Sequence, residues 1–236
     1  MRLDGREKDE LRPVTITPDY LDHPEGSVLI EMGKTRVICA ATVEETIPRW
    51  LRGQARGWIT AEYALLPRST HRRTPRETRG LRGRTQEIRR MIGRSLRASF
   101  DLRYLDERTI TLDCDVIQAD GGTRTAAITG GYVAIALALN KLVRTNVIKR
   151  QVFLPPVAAI STGIVQGELL LDLCYEEDSQ AEVDFNVAMN ARRHYVEIQG
   201  TAEGQPFERA QMELLLDLAQ KGIIELLEAQ KEVLEG

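Results

Sequence analysis

The run Asp120-Gly121-Gly122-Thr123-Arg124-Thr125 stands between a strand-like stretch and a long apolar one. Two glycines let the backbone approach a ligand closely, and a helix start presents unpaired N–H groups that suit an anion. Thr123 adds a hydroxyl and Arg124 a fixed positive charge, so the run makes a cradle for phosphate or another oxyanion. It matches neither the P-loop nor the dinucleotide fingerprint, and glycine pairs ahead of helices also serve as plain turns. A second group is acidic: Glu176, Glu177 and Asp178, with Glu182 and Asp184 close behind. A tight turn between them would let Asp178 and Asp184 converge, and two carboxylates suit Mg²⁺, which keeps several waters and takes substrate oxygens. From composition alone, a solvated acidic turn competes with that reading. Arg84, at the start of a basic helix, could reach the same anion as Arg124, a meeting that sequence alone does not show. The three histidines, His23, His71 and His194, have neither metal-ligand nor triad spacing, and none is assigned catalysis.

Charge is distributed unevenly. The chain carries −3 overall, yet between Arg49 and Arg103 there are 15 arginines and no lysine against 4 carboxylates, a local +11 that leaves −14 elsewhere. A basic block in an acidic chain is an electrostatic footprint for a polyanion. Arginine's planar fork pairs bidentately with phosphate and stacks on bases.

These residues must be held by regular elements. Ser27–Met32 and Thr35–Val43 read as strands around a Gly33–Lys34 hairpin turn, and Trp58–Leu66 as a third strand. Residues 67–83 are rich in Arg, Thr, Gly and Pro with almost nothing to bury, which predicts a mobile surface loop. Ile88, Met91, Ile92 and Leu96 recur at helical spacing and predict a helix over 85–100, with Arg90, Arg94 and Arg97 on another face. Thr109–Ile117 reads as a strand with Asp113 and Asp115 on one side. A long apolar helix is expected over 126–143, strands at 158–165, 169–173, 183–190 and 195–200, and an amphipathic helix over 208–234. Strands and helices alternate without a linker, which predicts one α/β domain over residues 1–236. Cys39, Cys114 and Cys174 are widely spaced in apolar stretches and read as buried thiols of a cytoplasmic protein. A charged N-terminus argues against a signal peptide. No apolar run approaches the ~20 residues of a membrane span, so no membrane is expected among the partners.

Taken together and in this order, the segments resemble the ribonuclease PH family. The similarity runs through ELRP, HPEGSVLIEMGKTRVIC, GWITAEYALLPR, GRTQEI, LDCDVIQADGGTRTAAITGG, LLDLCYEEDSQAEVDFNVAMN and EIQGTAEG. The resemblance implies a mixed α/β (α+β) fold like domain 2 of ribosomal protein S5, assembled as a hexameric ring of three dimers. It implies phosphorolytic 3′-5′ trimming of tRNA precursors and other RNA with a free 3′ end, with inorganic phosphate as co-substrate. Arg84, Gly122, Thr123 and Arg124 match the family's phosphate-holding positions, and Asp178 and Asp184 the carboxylates that place a divalent metal. Arg68, Arg72, Arg73 and Arg76 match a region that grips the tRNA acceptor end. A non-catalytic RNA-binding subunit of an exosome-like ring is the rival reading, and it would be expected to lack those arginines or aspartates. A metal-dependent hydrolytic nuclease is a second rival.

Overall fold

β-Branched and small residues alternate through the first half of the chain and build five strands: β1 (Val14–Pro18), β2 (Gly26–Met32), β3 (Thr35–Glu44), β4 (Trp58–Leu65) and β5 (Thr109–Gln118). The computed structural model describes residues 2 and 4–236; Met1 and Leu3, part of the charged N-terminal run, lie outside the described residues. The five strands form one sheet in the order β1-β2-β3-β5-β4, with β4 parallel to β5 and the other pairs antiparallel. The second half contributes β6 (Val157–Val165), β7 (Glu168–Leu171), β8 (Val183–Asn190) and β9 (Tyr195–Ala202), an antiparallel sheet ordered β7-β6-β8-β9. On β5, Leu112, Cys114 and Val116 point into the core, while Asp113 and Asp115 face outward.

Four helices fill the space around the sheets: α1 (Gly83–Arg97), α2 (Thr123–Arg144), the single turn α3 (Tyr175–Asp178) and α4 (Arg209–Glu235). The stripe Ile88, Met91, Ile92 and Leu96 lays α1 on β4, and Leu215, Ala219, Ile223 and Leu226 lay α4 on β6. Helix α2 is buried on nearly every side because it packs against β2 and β3 of one sheet and β6 of the other. Glycine makes that fit possible: a Cβ on Gly130 would stand 2.7 Å from Ile30 Cγ2. The principal hydrophobic cluster runs from Ile16 through α2 to Leu226. Each large apolar side chain fully buried there contributes ~1.5–3 kcal/mol relative to exposure.

Several boundaries differ from the sequence reading. β1 was not anticipated; it is a short edge strand in which Ile16 alone is buried, so alternation gives little signal. Helix α1 begins two residues earlier and α2 three residues earlier than apolar periodicity indicates, because their first turns carry Arg84 and Thr123–Arg124 rather than core side chains. The expectation that no apolar run approaches membrane length needs correction. Helix α2, with 22 residues and a mean hydropathy of 1.5 in its most apolar window, is long and apolar enough to cross a bilayer, yet it is wedged between the two sheets. The three cysteines are free and buried, as expected.

Candidate active site

Strand β5 ends at Gln118, and the chain then reverses through Asp120-Gly121-Gly122 into α2. Gly121 and Gly122 have φ of +73° and +64°, a left-handed pair that only glycine adopts without strain. A Cβ on Gly121 would also stand 2.4 Å from the carbonyl oxygen of Leu173. With Gly122 as N-cap, no side chain caps the helix, and its leading N–H groups have no partner within the helix. The Thr35 hydroxyl secures the turn, donating to Gly121 O at 2.6 Å and accepting from Asp120 N at 2.9 Å. Thr123 shares a 2.8 Å hydrogen bond with the phenol of Tyr63, a buried residue of β4.

Arg124, on the first turn of α2, crosses to the second sheet. Its Nη1 donates to Gln199 Oε1 at 2.8 Å, and Nη2 lies 3.5 Å from Asp184 Oδ2. Gln199 is held in turn by donating to Glu87 of α1. Asn186, two residues along β8 and so on the same face, donates to both oxygens of Asp184 at 3.2 Å. Asp178 closes α3. Burial pushes its carboxyl up, while Arg124, Arg84 and Arg12 pull it partly back. Burial likewise raises Asp184, and proximity to Asp178 adds to the effect; Arg124, Asn186 and Arg84 oppose it. Arg84, exposed on the first turn of α1, therefore acts electrostatically on both carboxylates, and it also acts on Tyr63. Arg84, Arg124, Thr123, Asp178 and Asp184, distant in sequence, gather around the open end of α2. Among the described residues, no group of three or more His, Cys, Asp or Glu side chains gathers to hold a metal ion.

Models of the 3′ exoribonuclease family match in two consecutive parts, domain 1 over residues 10–139 and domain 2 over residues 155–222. The chain belongs to the 3′ exoribonuclease family. It is 56% identical over 237 residues to Ribonuclease PH of Bacillus cereus (strain G9842), covering 99% of this chain and 97% of that one. Among solved structures, rice (Oryza sativa) Rrp46 superposes with a TM-score of 0.80 at 18% identity, covering 99% of this chain and 100% of that one. An Archaeoglobus fulgidus exosome with RNA bound to the active site matches at 0.79 and 22%, covering 96% of this chain and 91% of that one. At such identities the likeness speaks to architecture, the S5 domain 2-like arrangement of sheets and helices.

In this member of the 3′ exoribonuclease family, the arginine-rich segment 67–83 arches over β4 and β5, leaving a cavity of about 420 Å³ lined by Tyr63, Thr85, Asp113 and Asp115. Arg68, Arg72, Arg73 and Arg76 are all exposed along it. Arg68 Nη1 donates to His71 O at 3.0 Å, and burial raises the carboxyl of Asp115 with Arg76 only partly opposing it. None of the four joins the cluster at α2, although the His71 ring lies 5.3 Å from that of Tyr175, the first residue of α3. Sequence reasoning missed Tyr63, Gln199 and Asn186. Gln199 is the register partner of Asn186 across β8 and β9, so strand pairing is the signal that would have found it.

Proposed function

We propose that this protein is a phosphorolytic 3′-5′ exoribonuclease that trims the 3′ ends of tRNA precursors, with inorganic phosphate as co-substrate. The observation that carries the reading is Arg124 at the uncapped start of α2, 3.5 Å from Asp184 of a half-buried carboxylate pair on which Arg84 also acts electrostatically. Orthophosphate brings its own nucleophilic oxygen. That oxygen bonds to the phosphorus of the last phosphodiester, the 3′ oxygen of the preceding nucleotide leaves and takes up a proton, and a nucleoside diphosphate is released. Catalysis then rests on position and charge. Two anions must approach, so Arg84, Arg124 and the N–H groups beside Gly122 and Thr123 hold the attacking phosphate, while Gln199 keeps Arg124 oriented.

Mg²⁺ fits Asp178 and Asp184, because both carboxylates are half-buried, Asp178 adds to the raised proton affinity of Asp184, and a cation relieves that repulsion. When bound it supplies charge neutralisation on the scissile phosphate. Asn186 serves the pair by fixing the Asp184 carboxylate. Arg68, Arg72, Arg73 and Arg76 grip the RNA backbone, contributing affinity without base specificity. The working form is a cytoplasmic homo-hexamer, a trimer of dimers, which native mass spectrometry tests directly.

The deciding assay incubates RNA with and without phosphate. Diphosphate release only with phosphate is expected; monophosphates would indicate hydrolysis, and no release would indicate a non-catalytic ring subunit. Arg124→Ala should lose phosphorolysis by about 10²–10³-fold, on the scale of deleting one donor to a developing charge, while RNA binding persists.

A further inference from the structure

Two arginines of the N-terminal segment lie beneath the site and are almost wholly enclosed, Arg2 at 8% and Arg12 at 3% exposure. A guanidinium is costly to bury unless its donors are met, so the partners show what the burial secures. Arg12 Nε and Nη2 fork onto the Asp172 carboxylate at 2.9 and 2.6 Å, and its backbone N–H reaches the same carboxylate at 2.9 Å. Its Nη1 donates to the carbonyl of Asp120, and Nη2 stands 3.0 Å from where a Cβ on Gly122 would lie. Arg12 is thereby pressed against the back of the turn that opens α2. Arg2 makes the matching contacts on the other side. It forks onto Glu177 of α3 at 2.8 and 2.6 Å, and its Nη1 and Nη2 donate to the carbonyls of Leu171 and Asp172 at 2.7 and 3.0 Å.

Asp172 joins the two sides. It is wholly buried and sits at φ +53°, in the left-handed region that aspartate adopts more readily than most non-glycine residues. Its side chain is taken by Arg12, its N–H donates to Ser161 O at 2.8 Å, and its carbonyl accepts from Arg2 and from Arg6, the latter at 3.1 Å. From Asp172 the chain passes Leu173, whose carbonyl abuts Gly121, and enters α3 with Asp178.

We propose that Arg12 and Arg2 are positioning residues that each set chiefly one half of the site, Arg12 the phosphate-holding turn and Arg2 the carboxylate-bearing helix. The inference rests on the phosphorolytic reading above. Because a displacement of about 1 Å at a reacting group costs up to 10²-fold in rate, loosening either anchor should be measurable, and at a different constant in each case.

The test is steady-state phosphorolysis by Arg12→Lys and Arg2→Lys, each keeping its charge but losing the fork, at a temperature well below each variant's own melting point. Arg12→Lys is expected to raise the KM for phosphate about tenfold, with kcat at saturating phosphate within about threefold of wild type. It should also weaken the thermal shift that inorganic phosphate gives the protein. Arg2→Lys is expected to lower kcat about tenfold with the phosphate KM unchanged. Asp172→Asn, which keeps the side-chain volume and backbone contacts, should raise the phosphate KM as Arg12→Lys does, and it decides the matter if Arg12→Lys does not fold. A merely structural role would lower the melting point and the active fraction while leaving KM alone, and that result in Arg12→Lys or Asp172→Asn overturns the inference, as does an identical kinetic change in the Arg12 and Arg2 variants. Wild-type protein indifferent to phosphate would instead defeat the phosphorolytic reading itself.

Discussion

Asp178 carries a proton affinity raised by burial, and Arg124, Arg84 and Arg12 only partly offset it. A carboxyl whose folded value lies above its unfolded one keeps a proton in the folded chain that the unfolded chain has already released. Stability then falls as pH rises through that interval. Asp178→Asn should therefore raise the melting temperature at neutral pH, with the gain shrinking as pH drops below the usual carboxylate range, while phosphorolysis falls by about 10²–10³-fold. A lower melting temperature at neutral pH would mean that the arginines outweigh burial. Gly122, Thr123, Arg124, Asp178 and Asp184 were legible in the sequence because each belongs to a short run of chemically distinctive residues. Tyr63, Gln199 and Asn186 were not, since nothing local marks them. Their places come from β4 lying beside the turn and from the pairing of β8 with β9.

At the scale of elements, apolar spacing located α1, α2 and α4 but misplaced the starts of α1 and α2, where the residues facing the site are polar or charged. β1 escaped notice because an edge strand with one buried residue has almost no pattern. Helix α2 offers a test of the packing. In an exposed helix, Gly→Ala adds about 1 kcal/mol of stability. At Gly130 the new methyl would meet Ile30 Cγ2 at 2.7 Å and Cys39 Sγ at 3.2 Å, so Gly130→Ala should instead destabilise by about 1–3 kcal/mol in denaturant titrations. The 67–83 segment has a separate signature. Neutralising Arg68, Arg72, Arg73 and Arg76 together should reduce the slope of log affinity for RNA against log salt by about 3, at roughly 0.7 for each single-strand phosphate left without its arginine. An unaltered slope would show that RNA docks elsewhere.

For the whole molecule, the family divides the sequence at residues 139 and 155, whereas the absence of a linker in the sequence argues for one folding unit. We propose that the two family segments unfold together, because α2, from the first segment, packs against β6 and α4 of the second. Denaturation followed by far-ultraviolet dichroism and by the fluorescence of Trp50 and Trp58, both in the first segment, should give coincident single transitions; separated midpoints would contradict this. The tight lodging of α2 also has an evolutionary consequence. Its first turn is hard to move, since the buried body of the helix behind it would have to repack against both sheets. Descendants with new RNA preferences should thus have altered the rim, by lengthening or recharging the arginine-bearing segment, while inheriting the anion cradle unchanged.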